Sequence, residues 1–314
     1  MRTVRLELRL LRYIGPFWLV FLLPGSAVAQ ADRDFRYENP SPAFLAGEGP
    51  TVCFDSAHNN YHTVDGDYFP FAELLRRDGY GARTLETNFT ETALEGCRVL
   101  VITTPVHPSN REDWAFPHRS AFDTDEIRVV FDWVHRGGGL LLVIDHPPIA
   151  GAVADLAAVF GAAIFDGEAR NDTRSPLPAV FSRAEGALRD HSITRGRGAR
   201  ESVTTVATWT GAAFLGSREF EPVMVYGERS RAWAELPETL PDLPRREYPV
   251  FEIEGWLAAG TRQVGQGRLV LLGETAMCTA QKDDDGPWGM NTEQGAENAQ
   301  FCLNAVRWLS EVLN

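Results

Sequence analysis

GGGLLLVIDH, residues 137–146, reads as a helix end, a tight turn and a buried strand within ten positions. Upstream of it, Ile127, Val130, Phe131 and Val134 recur at i, i+3, i+4 and i+7, one apolar face of a helix expected over about 125–136. Glycine just past such a stretch ends a helix, because it enters the left-handed region without a Cβ clash. Positions 140–144 are then continuously apolar, as expected of a parallel strand covered on both faces. That strand runs out into Asp145 and His146. The three glycines do not form a phosphate loop: such loops follow a strand and open a helix, and here the order is reversed.

The same pattern recurs outward in both directions. TVCFD (51–55), RVLVIT (98–103) and RLVLL (268–272) are apolar runs of strand length. A helix with Pro70 in its first turn and Gly79 past its end follows the first of them. Shorter strands are expected at 82–85 and 162–165, and a last helix over about 296–313. This alternation predicts an α/β protein: an open, mostly parallel sheet with helices on both faces. Residues 166–262 break the pattern with short β-like pieces (203–208, 212–215, 222–226) separated by Pro and Arg. The expected organisation is one α/β domain over 51–314 carrying a β-rich insertion at about 166–262. At 314 residues the chain has room for one large domain or two small ones.

Two N-terminal segments stand apart. Arg2, Arg5, Arg9 and Arg12 precede an apolar run over 13–23, Pro24-Gly25 breaks it, and Ala27-Val28-Ala29 offers small residues for cleavage. Residues 1–29 therefore read as a secretory signal peptide, too short in its apolar part to remain as a membrane span. The expected location is secreted or periplasmic. Residues 30–50, rich in Pro, Gly and charge, read as a tether. Hydrophobic residues at 44% exclude intrinsic disorder, and a net charge of −13 lacks the basic face that nucleic acid requires. Cys53, Cys97, Cys278 and Cys302 suit either disulfides in an oxidising compartment or buried thiols, and their spacing does not pair them.

Chemistry is expected where the strands end, since ligands of open α/β sheets bind beyond the carboxyl ends of the strands. The first strand ends in DSAHNNYH, the fourth in DHPP and the late one in GETAM. Asp55, His58, His62, Asp145, His146 and Glu274 are thus candidates for one edge. Carboxylates with imidazoles suit a divalent metal or a metal-free acid–base pair. Of these, Asp55, His58, Asp145, His146 and Glu274 are the candidate catalytic residues. All six, with His62, are candidate metal ligands. A long loop over 104–122 carries His107, Trp114, Phe116 and His118, and should border the same edge as a lid or binding loop for a small-molecule or glycan substrate. His191 is expected either to face the site or to order its own turn, and Asn291 with Gln294 to form a capping box.

The stretches DSAHNNYHTVDGDYFPFAELLRRDGY, GGGLLLVIDH, HSITRGR and GRLVLLGETAM resemble a group of secreted bacterial proteins. Their fold is similar to that of class I glutamine amidotransferases, a flavodoxin-like sheet. The resemblance covers most of residues 51–313 and implies that fold. It does not imply amidotransferase chemistry, because the Gly-x-Cys-x-Gly elbow and the His-x-Glu pair of that superfamily are missing here. The expected function is an exported α/β hydrolase with a carboxylate/histidine site, metal-dependent or metal-free. The alternative is a non-catalytic module of the cell envelope that binds a small molecule or glycan.

Overall fold

The apolar runs pair side by side in a computed structural model that describes residues 29–174, 176–235, 248–284 and 286–314. Strands Thr51–Asp55, Gly81–Leu85, Cys97–Thr103, Gly139–Val143 and Gly267–Leu272 are parallel. Their spatial order places Gly81–Leu85 at one edge, then Thr51–Asp55, Cys97–Thr103, Gly139–Val143 and Gly267–Leu272. Counted along the chain this is 2-1-3-4-5, the flavodoxin-like order, with its switch point between Thr51–Asp55 and Cys97–Thr103. Beyond Gly267–Leu272 the sheet becomes antiparallel through Leu257–Val264, Phe214–Gly216 and Ala162–Ile164, and Glu221–Val225 also pairs with Leu257–Val264.

Side chains alternate between two helix layers. Val52, Phe54, Val101, Leu141, Val143, Val270 and Leu272 pack with helices Phe69–Arg77 and Asn298–Leu309. Cys53, Leu100, Ile102, Leu140, Leu142, Leu269 and Leu271 pack on the other face with helices Thr124–His135 and Ile149–Val159. Both faces are covered, so the middles of the inner strands are apolar and their polar residues fall at the strand ends. Each fully buried Leu or Val contributes about 1.5–3 kcal/mol relative to exposure.

Much of the β-rich insertion extends this same sheet. The remainder forms a three-stranded sheet of Gly167–Arg170, Arg231–Ala234 and Val250–Glu252, and a pair of Ala179–Ser182 with Thr205–Thr208. Residues 30–50 are packed onto the domain and do not form the tether that their composition predicts. Gln30–Ala31 pairs antiparallel with Ala280–Asp283, and Asn39 and the Ala43 N–H both bond the carboxylate of Asp78. The physical reason is a buried ion pair between Asp78 and Arg307, to which this segment adds hydrogen bonds, including one from Arg307 to the Ser41 carbonyl. Of the expected signal peptide, residues 1–28 lie outside the described residues. Among the described residues no helix is long and apolar enough to cross a membrane.

The cysteines form two disulfides, Cys53–Cys97 and Cys278–Cys302. The last helix is shorter than expected, Asn298–Leu309, and Asn291 does not cap it. Instead the Asn291 amide donates to Asp32 and to the Gln281 carbonyl, fixing the first strand to the 280–283 strand.

Candidate functional site

The strand-end residues divide between the two faces of the sheet, and the register explains why. Asp55 follows Phe54, so its side chain leaves on the side of Cys53 and Ile102. Asp145 and Glu274 each stand two positions beyond the paired residues Val143 and Leu272, so they emerge beside one another on the opposite side. The backbones end along a shared edge, with Asp55 and His58 on one face and Asp145, His146 and Glu274 on the other.

On the first face, His58 lies between two carboxylates. Its Nδ1 is 2.7 Å from Asp55 Oδ1 and its Nε2 is 2.9 Å from Glu126 Oε1. Phe89 and Phe122 flank the ring, each with centroids 4.7 Å away. Burial alone would lower the imidazole pKa, but the hydrogen bonds and charges of Asp55 and then Glu126 outweigh it, and the pKa is raised. Asn60 closes the cluster by donating to Asp55 Oδ2 and to the Thr103 carbonyl. Glu126 is not among the residues expected from sequence. It sits at the third position of helix Thr124–His135, in a capping box with Asp123, and also accepts the Phe89 N–H. The capping box is legible as D-x-x-E, whereas its contact with His58, across 68 positions, is not.

On the second face, Asp145 and Glu274 are only 6% and 4% exposed. Asp145 accepts hydrogen bonds from the Thr275 N–H (3.1 Å) and the Thr275 hydroxyl, and from the His146 N–H. Glu274 accepts from the N–H groups of Ala276 (3.0 Å) and Met277 (2.8 Å) in the turn Ala276–Cys278, and from Trp209. Gly211 permits that last approach, because a Cβ there would stand 2.3 Å from the Gly273 carbonyl and 2.8 Å from Glu274 Cβ. Burial first, then the charge of Asp145, hold the Glu274 carboxyl well above its ordinary range, against the pull of the three N–H groups. Tyr68 and Tyr226 border the pair. Both phenols have raised pKa values, chiefly through burial, with smaller contributions from Glu274 and Asp145.

His146 and His62 lie at the rim. His146 Nδ1 donates to the Pro147 carbonyl, leaving Nε2 3.7 Å from Asp145 Oδ1. His62 Nδ1 is 3.1 Å from Asp67 Oδ2, and its ring lies 5.8 Å from Tyr68. His191 orders its own turn: it caps the one-turn helix Ser192–Arg195 and meets Thr261, away from Asp145 and Glu274.

The arrangement does not fit the expected divalent metal. Both ring nitrogens of His58 are already engaged, the Glu274 oxygens face turn amides, and among the described residues no three His, Cys, Asp or Glu side chains form a metal-holding group.

The Glu274 environment has a pH signature. Its folded pKa lies above the unfolded value, near 4.5, so the folded state holds the proton over a pH range in which the unfolded chain has lost it. Below that range the group contributes nothing to the slope. As pH rises through it, stability falls. Chemical denaturation between pH 4 and pH 8 should show this fall in the wild type and its loss in Glu274→Gln. Parallel curves for the two proteins would contradict the assignment.

The sheet and its strand-end edge define an α/β protein of flavodoxin-like order. The sequence matches no protein-family model and no curated protein. Among solved structures, the chain is similar to the mmIFT52 N-terminal domain at 16% identity and a TM-score of 0.57, covering 82% of this chain and 97% of that one. It is also similar to a putative ThuA-like protein from Bacteroides uniformis (12% identity, TM-score 0.45, 87% and 94% covered). A third is a putative GMP synthase protein from Thermoplasma acidophilum (9%, 0.40, 83% and 96%). The first of these likenesses supports the fold; none of them carries an activity to this chain. All four cysteines are in disulfides, so none offers a thiolate nucleophile.

Proposed function

We propose that the chain is an exported α/β hydrolase whose acid–base chemistry rests on Asp145 and Glu274. One observation carries the reading: two nearly buried carboxylates leave the ends of adjacent parallel strands on one face, and among the described residues neither is ion-paired with a Lys or Arg, while His146 Nε2 stands 3.7 Å from Asp145. Such a pair is costly to fold, because like charges in a desolvated place cannot both ionise freely. A carboxyl held protonated by burial beside a second carboxylate is an arrangement that acid–base catalysis uses. Glu274, holding its proton, is the general acid toward a leaving group. Asp145 is the base that accepts the proton of an attacking water, with His146 at the mouth. Export is supported by the order of residues 1–29 and by the two disulfides, which suit an oxidising compartment.

The test is a screen of chromogenic esters, phosphates and glycosides with wild type, Asp145→Asn and Glu274→Gln. Each substitution should lower kcat by about 10²–10⁴-fold on the substrate that turns over. Turnover unaffected by either substitution would refute the assignment. A second reading, a non-catalytic binding module, is favoured by the depth at which both carboxylates sit, and it predicts ligand binding with no turnover of any substrate.

A further inference from the structure

Trp114 is 49% exposed although its loop is tightly held. The Asn110 amide donates to the Ala115 carbonyl at 2.9 Å, and His118 bridges Asp166 (2.8 Å) and the Trp114 carbonyl (2.9 Å). The indole N–H donates to the Tyr61 hydroxyl at 2.7 Å, which in turn donates to the Arg111 carbonyl at 2.6 Å. The polar atom of the indole is thus satisfied inside the protein. What remains toward solvent is an apolar flat surface on a side chain whose ordering is already accomplished. The His146 ring stands 5.7 Å from the indole at 42°. His146 Nδ1 is committed to the Pro147 carbonyl, so Nε2, 3.7 Å from Asp145, is the ring nitrogen left to bond a ligand hydroxyl.

We infer that Trp114 and His146 form a sugar-binding subsite beside the Asp145–Glu274 pair, and that the substrate is a neutral glycan. A pyranose presents one face of C–H groups, which packs on an indole, and a rim of hydroxyls, which hydrogen-bond an imidazole nitrogen. An exposed indole next to an imidazole nitrogen with no protein hydrogen bond matches that chemistry. A quaternary ammonium ligand would need several open aromatic faces around it. Here the Arg111 guanidinium already covers Tyr61, 4.1 Å from its centroid, so a cage is not available. The inference rests on the proposed acid–base pair only for the direction in which the sugar would be cleaved; the subsite itself rests on Trp114 and His146.

The test is calorimetric titration of the oxidised protein with hexasaccharides of glucose, mannose, xylose and N-acetylglucosamine. At least one should bind. Trp114→Ala should weaken it by about tenfold or more, and Trp114→Phe, which keeps an aromatic face, by no more than about threefold. Thermal unfolding of both variants controls for folding, and Trp114→Phe retains the test if Trp114→Ala does not fold. Absence of binding to all four sugars, or equal affinity in wild type and the folded variants, overturns the subsite. Asp145→Asn separates the two readings. Trp114-dependent binding that persists in Asp145→Asn, with no turnover of the bound sugar by wild type, upholds the subsite and removes the hydrolase. Asp145-dependent turnover with KM unchanged in Trp114→Ala does the reverse.

Discussion

Replacing Arg307 by Met is expected to destabilise the protein by about 3–5 kcal/mol, the cost of leaving a buried charge without its partner. Arg307 and Asp78 are both fully buried, with their side chains 0% exposed. The guanidinium donates to both Asp78 oxygens, from Nε at 2.8 Å and Nη2 at 2.5 Å, and Nη1 lies 3.1 Å from Glu201. The pair joins the end of helix Phe69–Arg77, the last helix and the segment around Ser41 at one point. At roughly 2–4 °C per kcal/mol for a domain of this size, the melting temperature should fall by about 10 °C. The double variant Arg307→Met with Asp78→Asn should recover part of that loss, since no charge is then stranded. A single-variant cost below about 1 kcal/mol would show that water or a rearranged neighbour compensates Asp78.

Loss of the disulfides should have an effect of the same order. Cys53–Cys97 and Cys278–Cys302 span 44 and 24 positions. Loop-closure entropy then assigns them about 4 and about 3.5 kcal/mol. Their functional consequences should differ. Cys278 ends the turn Ala276–Cys278, whose N–H groups hold Glu274, whereas Cys53 lies in a core strand on the other face. Paired Cys→Ser replacement of 278 and 302 should lower both stability and turnover. The same replacement of 53 and 97 should lower stability alone. Equal loss of turnover from both pairs, measured below their melting temperatures, would contradict the link between the turn and the acid.

The four inner parallel strands are legible in the sequence because they are apolar at most positions, a demand that a two-sided helix cover imposes, whereas the edge strand Gly81–Leu85 is not. Leu140 through Ile144 carry that information without help from any other segment. The antiparallel half is harder to read. Leu257–Val264 contains Gly260, Thr261, Arg262 and Gln263, so its apolar pattern is diluted although most of it is buried. Residues 30–50 read as a tether because nothing local tells that Asp78 and Arg307 are buried and need partners. At the site, the strand ends are legible, but grouping Asp55 with Asp145 overlooks the twofold alternation of side chains. Counting back along the apolar runs, with their registers known, separates the two. Register is a long-range property, and so are the contacts of Glu126 with His58 and of Tyr68 with the acid pair.

The pairing of Gln30–Ala31 with Ala280–Asp283 bears on how the molecule comes to be folded. A chain synthesised from its N-terminus presents the first of these strands long before the second. Arg307 likewise meets Ser41 across 266 positions. Contacts so distant in sequence close late, because most of the chain must be in place before they can form. The leading segment would therefore wait uncovered, with its edge unpaired, until the last helix arrives. During that interval it is the natural place for a holding chaperone to engage and for an early protease to cut.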